Sequence, residues 1–105
     1  MFISDFITGI NKAEFIKPIL INRVLVVEIR AKHKSSFYLE LSSSGSSVLA
    51  APPTKVDFLI EGEEQDLEDM VENKISLKQL ISLGSISIKG SYRDFLKLEA
   101  LFKLT

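Results

Sequence analysis

The sequence predicts an α+β domain, a single five-stranded sheet packed by helices, in the order helix, three strands, crossover, strand, helix, strand, helix. Three observations carry that reading. Several short segments alternate apolar and polar residues with the period of two that a half-buried strand requires. Other segments instead repeat apolar residues three and four positions apart, the spacing of a one-sided helix. Near the end, Gly84 and Gly90 bracket the alternating run Ile86-Ser87-Ile88-Lys89, the sharpest local signal in the chain.

From the N-terminus, Phe2, Ile3, Phe6, Ile7 and Ile10 fall on one helical stripe, with Lys12 and Glu14 off it. Gly9 weakens this helix by about 1 kcal/mol relative to alanine. Pro18 should stop it at or before Lys17, because the residue preceding a proline is pushed out of the helical region. The stripe suits packing on a sheet. The same Phe2, Ile3 and Phe6, with Lys12 and Lys17 nearby, also suit transient contact with a membrane surface.

Three strand candidates follow. Val24 to Arg30 turns Leu25, Val27 and Ile29 to one face and Val24, Val26, Glu28 and Arg30 to the other, and Phe37, Leu39 and Leu41 alternate with Tyr38 and Glu40. The polar link between them predicts an antiparallel hairpin. A serine-rich link then leads to Val48 to Ala51, which Pro52-Pro53 ends. Beyond the crossover, Val56, Phe58 and Ile60 alternate with Asp57, Leu59 and Glu61. Gly62 turns the chain into a helix over Glu63 to Asn73, with Leu67, Met70 and Val71 on its apolar side. Ser76 and Gln79 form a capping box ahead of Leu80, Ile81 and Leu83, and Gly84 is placed to end that short helix in a left-handed conformation. After the glycine-bounded strand, Ser91 and Asp94 open a last helix. Phe95, Leu98 and Phe102 line one side of it, with Tyr92, Leu96 and Leu101 beside them.

Composition narrows the function. A chain of 105 residues with 46% hydrophobic content is expected to form one domain over residues 1–105. The net charge of −1 combines +3 in residues 1–55 with −4 in 56–105, and no basic, aromatic-interleaved patch marks a nucleic-acid partner. Cysteine is absent and the apolar start, interrupted by Asp5, lacks the basic region of a secretory signal. The cytoplasm is therefore the expected compartment. No catalytic residue, metal ligand set or cofactor is expected. The only histidine, His33, sits between two lysines in a predicted turn, and the serine run lacks both the lysine-bearing phosphate loop and the G-x-S-x-G elbow. The acidic stretch from Glu61 to Glu72 lacks calcium-loop spacing and reads as a solvated face, its first carboxylates favoured by the helix dipole.

The second half of the chain resembles the sterol carrier protein type 2 family of lipid-transfer domains. The resemblance rests on the strand Val56 to Gly62, the region Leu67 to Ile81, the segment Leu83-Gly84-Ser85-Ile86-Ser87-Ile88-Lys89-Gly90, and Phe95, Leu98 and Phe102 in the terminal helix. The first half agrees by element order. The sequence departs from the family where Asp57 follows an apolar residue and where Ser91 follows the second glycine. The resemblance implies non-enzymatic carriage of an apolar molecule, such as a fatty acid, fatty acyl-CoA or sterol, in a hydrophobic tunnel between sheet and helices. By position, Leu67, Met70 and Val71 would line it from the middle helix and Phe95, Leu98 and Phe102 from the last. The alternative left open is a protein-interaction module, with the same apolar face closing a homodimer.

Overall fold

The sheet owes its shape to ranks of apolar side chains that line up across strands. In the computed structural model, which describes residues 2–12, 16–21, 23–34 and 36–104, β1 (Leu25–Ala31), β2 (Ser36–Leu41), β3 (Ser47–Val48), β4 (Phe58–Gly62) and β5 (Ile86–Lys89) stand in the order β3-β2-β1-β4-β5. Neighbours are antiparallel except β1 and β4, which run parallel because the chain crosses over between them. The pairing places Leu39, Val27 and Phe58 in one rank and Phe37, Ile29, Ile60 and Ile88 in the next. All point to one face, where they meet the helices in a single core cluster.

The opposite face is polar. Arg30 donates to Glu28 at 3.1 Å and Ser36 Oγ donates to the same carboxylate at 2.7 Å, with Glu61 3.6 Å from the guanidinium. The alternation read from the sequence therefore separates a buried face from a hydrogen-bonded one. This is the α+β architecture that the periodicities predict.

The helices are α1 (Phe2–Lys12), α2 (Ile16–Ile19), α3 (Glu64–Val71), α4 (Leu77–Ser82) and α5 (Tyr92–Leu104). α1 ends at Lys12, ahead of Lys17 as expected, whereas β4 begins at Phe58 rather than Val56. Pro18 itself lies inside a second short helix, α2, which the sequence pattern did not separate. It is the third residue of that helix, where a backbone N–H has no intrahelical acceptor, so its absence removes nothing. The third strand is only Ser47–Val48, although Leu49 N still donates to the Tyr38 carbonyl at 2.7 Å. Alanine is a weak strand former and Pro52-Pro53 cannot donate, so Ala50 and Ala51 leave the edge.

The helix ends follow their local chemistry. Ser76 Oγ accepts from Gln79 N at 3.1 Å to start α4. At its far end Gly84 takes φ +73, and Ser85 N and Gly84 N donate to the Leu80 and Ile81 carbonyls. The end of α3 repeats this bonding with Asn73 at φ +59, as Lys74 N and Asn73 N donate to the Asp69 and Met70 carbonyls. Asn11 fastens α1 to the β2–β3 link through a reciprocal pair of bonds with the Ser46 backbone, 2.8 and 2.9 Å.

Candidate functional site

The N-terminal half of α5 leaves a gap beside α4 that the sheet does not fill. β5 is an edge strand, so beyond Ile88 there is no further strand to cover the space between the two helices. The result is a groove of about 320 Å³. Ile81 of α4, Ile88 of β5 and Phe95 of α5 form its apolar surface, and each also packs against the core cluster. Tyr92 stands at the mouth, 72% exposed, with its ring stacked 5.9 Å from that of Phe95. Lys78, Ser82, Gly90 and Ser91 complete the lining. Gly90 is required there: a Cβ would meet the Phe58 ring at 2.3 Å, so only glycine lets the chain pass over Phe58 into α5.

The C-terminal half of α5 is closed. Leu98, Leu101 and Phe102 are buried, and the Phe102 ring lies 5.0 Å from that of Phe6. Leu67, Met70 and Val71 are buried in the same cluster. Leu67 and Leu98 have no accessible surface and Met70 has 1%. Of the six residues expected along a ligand site, Phe95 alone borders the groove, whereas Leu67, Met70, Val71, Leu98 and Phe102 are brought together as core. Phe6, for which the sequence suits both packing and membrane contact, is buried, with its ring against Phe102. The side chains of Phe2 and Ile3 lie outside the described residues.

A half-buried ion pair ties α5 to the segment before β1. Asp94 accepts from Arg23 Nη2 at 2.7 Å and from Nε at 3.4 Å, and Asp57 stands 3.8 Å from the same guanidinium. The bond to Asp94 holds the Arg23 guanidinium above its ordinary pKa, against a smaller opposing effect of burial. Asp57 also accepts from Val26 N at 2.9 Å, which ties the cluster to β1. One residue pair thus links the segment before the sheet to the last helix, and Lys97 Nζ adds a bond to the Ile19 carbonyl at 3.0 Å. The spacing of Ser91 and Asp94 predicts a capping pair at the start of α5. Ser91 Oγ does accept from Asp94 N at 3.1 Å, but the carboxylate is committed to Arg23.

The arrangement offers an apolar surface open on one side. His33 is exposed in the β1–β2 turn, and the described residues contain no group of three His, Asp or Glu that could hold a metal. The groove residues Ile81, Ile88 and Tyr92 were legible as helix or strand positions, but their gathering at a sheet edge was not.

The model of the SCP-2 sterol transfer family matches residues 12–103. The chain belongs to that family. Its fold is therefore that of a lipid-binding and transfer domain. The SCP2 domain-containing protein YusD of Bacillus subtilis (strain 168) is 31% identical over 91 residues, 87% of this chain and 79% of the relative. Among solved structures, the UbiJ-SCP2 ubiquinone synthesis protein superposes with a TM-score of 0.74 at 20% identity, covering 96% of this chain and 84% of that one. Sterol carrier protein-2 like-3 from Aedes aegypti gives 0.68 at 18%, covering 99% and 95%. At these identities the two structures speak for the fold of this SCP-2 family member. No helix among the described residues is long and apolar enough to cross a membrane.

Proposed function

We propose that this SCP-2 family domain binds and carries an apolar molecule, of the fatty acid, fatty acyl-CoA or sterol class, without converting it, and does so in the cytoplasm. The observation that supports this reading is the groove between α4, β5 and α5, whose apolar surface is the outer shell of the core itself. Its volume of about 320 Å³ lies at the low end of ligand pockets.

The site enlarges on binding. A dry cavity of ~300 Å³ deep in the core would cost roughly 7 kcal/mol, against a whole-domain stability of about 5 to 15. Leu67, Met70, Val71, Leu98 and Phe102 therefore close on one another without cargo, and the ligand enters past Phe95 and displaces them. Met70 suits that role because an unbranched thioether repacks around different shapes. Burying a 16-carbon chain gains about 13 kcal/mol gross, most of which association and ordering offset at about 4 to 15, so the affinity is micromolar or weaker.

Native mass spectrometry after incubation with mixed fatty acids, acyl-CoAs and a sterol tests this. One lipid per chain is expected, lost in an Ile88→Ser/Phe95→Ser double variant that still unfolds cooperatively. A protein that stays ligand-free throughout the series would remove the carrier reading.

A further inference from the structure

Beside the groove lies a second hollow, of about 480 Å³, lined by Ile21, Arg23, Ser91, Arg93, Asp94 and Lys97. Ser91 belongs to both, so the two hollows flank the first turns of α5. This side of the molecule carries large apolar side chains in water: Ile21 is 65% exposed, Tyr92 72% and Leu96 46%. Tyr92 and Leu96 stand one helical turn apart, and Arg93 and Lys97 repeat that spacing on the adjoining strip. Arg23 is neutralised by Asp94 and Asp57. Arg93, Lys97 and Lys78 have no ion-pair partner among the described residues, and Lys97 donates only to a carbonyl. Three uncompensated cations thus stand on this side of a chain whose net charge is −1.

The geometry points to a docking face for an anionic bilayer surface, formed by Ile21, Tyr92, Arg93, Leu96 and Lys97, with the mouth of the groove turned toward the lipid. Charge complementarity selects this occupant. A tyrosine with aliphatic neighbours enters the headgroup boundary, and long basic side chains reach anionic headgroups while their stems stay on apolar surface. The acidic helix α3, with Glu64, Asp66, Glu68 and Asp69, would be repelled by the same surface. This inference rests on the carrier reading for its purpose, since it names where cargo is collected, but docking itself requires no cargo.

Sedimentation with phosphatidylcholine vesicles, with and without phosphatidylglycerol, tests it. The wild type should bind only the anionic vesicles and be released at about 1 M salt, where the Debye length falls to ~3 Å. Each basic side chain near such a surface contributes about fivefold, so Arg93→Gln should weaken binding about fivefold and Arg93→Gln/Lys97→Gln about thirtyfold. Arg93→Gln leaves the bond from Lys97 to α2 intact, so it keeps the test valid if the double variant misfolds. Lys32→Gln/Lys34→Gln, which removes the same charge from the β1–β2 turn at the opposite end of β1 from Arg23, should stay within about twofold of wild type. Lipid uptake from detergent-free solution is measured in parallel. Uptake with no vesicle binding by the wild type overturns the docking face and leaves the carrier standing, whereas vesicle binding weakened about fivefold by Arg93→Gln, with no uptake, supports the face and removes the carrier. Vesicle binding indifferent to Arg93→Gln overturns it, as does a wild-type dimer that Leu96→Glu separates, which would assign the face to a second copy.

Discussion

The two halves of α5 belong to one continuous helix and carry similar apolar residues, yet they sit in opposite environments. Leu98, Leu101 and Phe102 are buried in the core cluster, while Tyr92, Phe95 and Leu96 border a groove or stand in water. The difference comes from what lies opposite. The closed half meets the α1 stripe, where Phe6 packs on Phe102. The open half faces an edge strand of four residues and a helix of six, too short to cover it. Packing is a property of the partner as much as of the residue.

The largest test of this contrast is Phe102→Ala. Truncating a buried ring against Phe6 should cost about 3 to 5 kcal/mol in urea unfolding. A loss under about 1 would mean that the closed half is loose already. Gly90→Ala comes next, at about 1 to 3 kcal/mol, because the new methyl overlaps the Phe58 ring at 2.3 Å. A neutral outcome there would show that the β5–α5 junction yields easily. Phe95→Ala should cost less, about 1 to 2 kcal/mol, since its ring is only partly buried. It should weaken lipid uptake about tenfold, as read by displacement of a fluorescent fatty acid. Equal stability losses at Phe95 and Phe102 would erase the distinction between the halves. The smallest effect is expected from Ser76→Ala, about 1 kcal/mol, from loss of the bond to Gln79 N. Hydrogen exchange should then quicken in α4 and remain slow around Leu98.

Much of the fold was legible because it depends on local rules. Ile29 and Ile60 fall on the buried face by alternation, Ser76 starts a helix by its hydroxyl, and Gly84 ends one by its freedom to adopt positive φ. The candidate site was less legible. Periodicity identified Phe95, Leu98 and Phe102 as one stripe, and nothing in that stripe distinguished the residue at a groove from those in the core. Asp94 shows the same limit: its spacing from Ser91 suggested a capping partner, while its carboxylate is held by Arg23, 71 positions earlier in the chain.

What the sequence determined by itself was the set of elements, their apolar faces and the points where they start and stop, since each follows from the chemistry of residues within a turn or two of one another. The tertiary structure alone decided that β1 lies beside β4, that Arg23 reaches Asp94, and that the stripe of α5 is sealed at one end and open at the other. Those outcomes depend on which surfaces meet across long separations in the chain, and an apolar side chain carries no record of its partner.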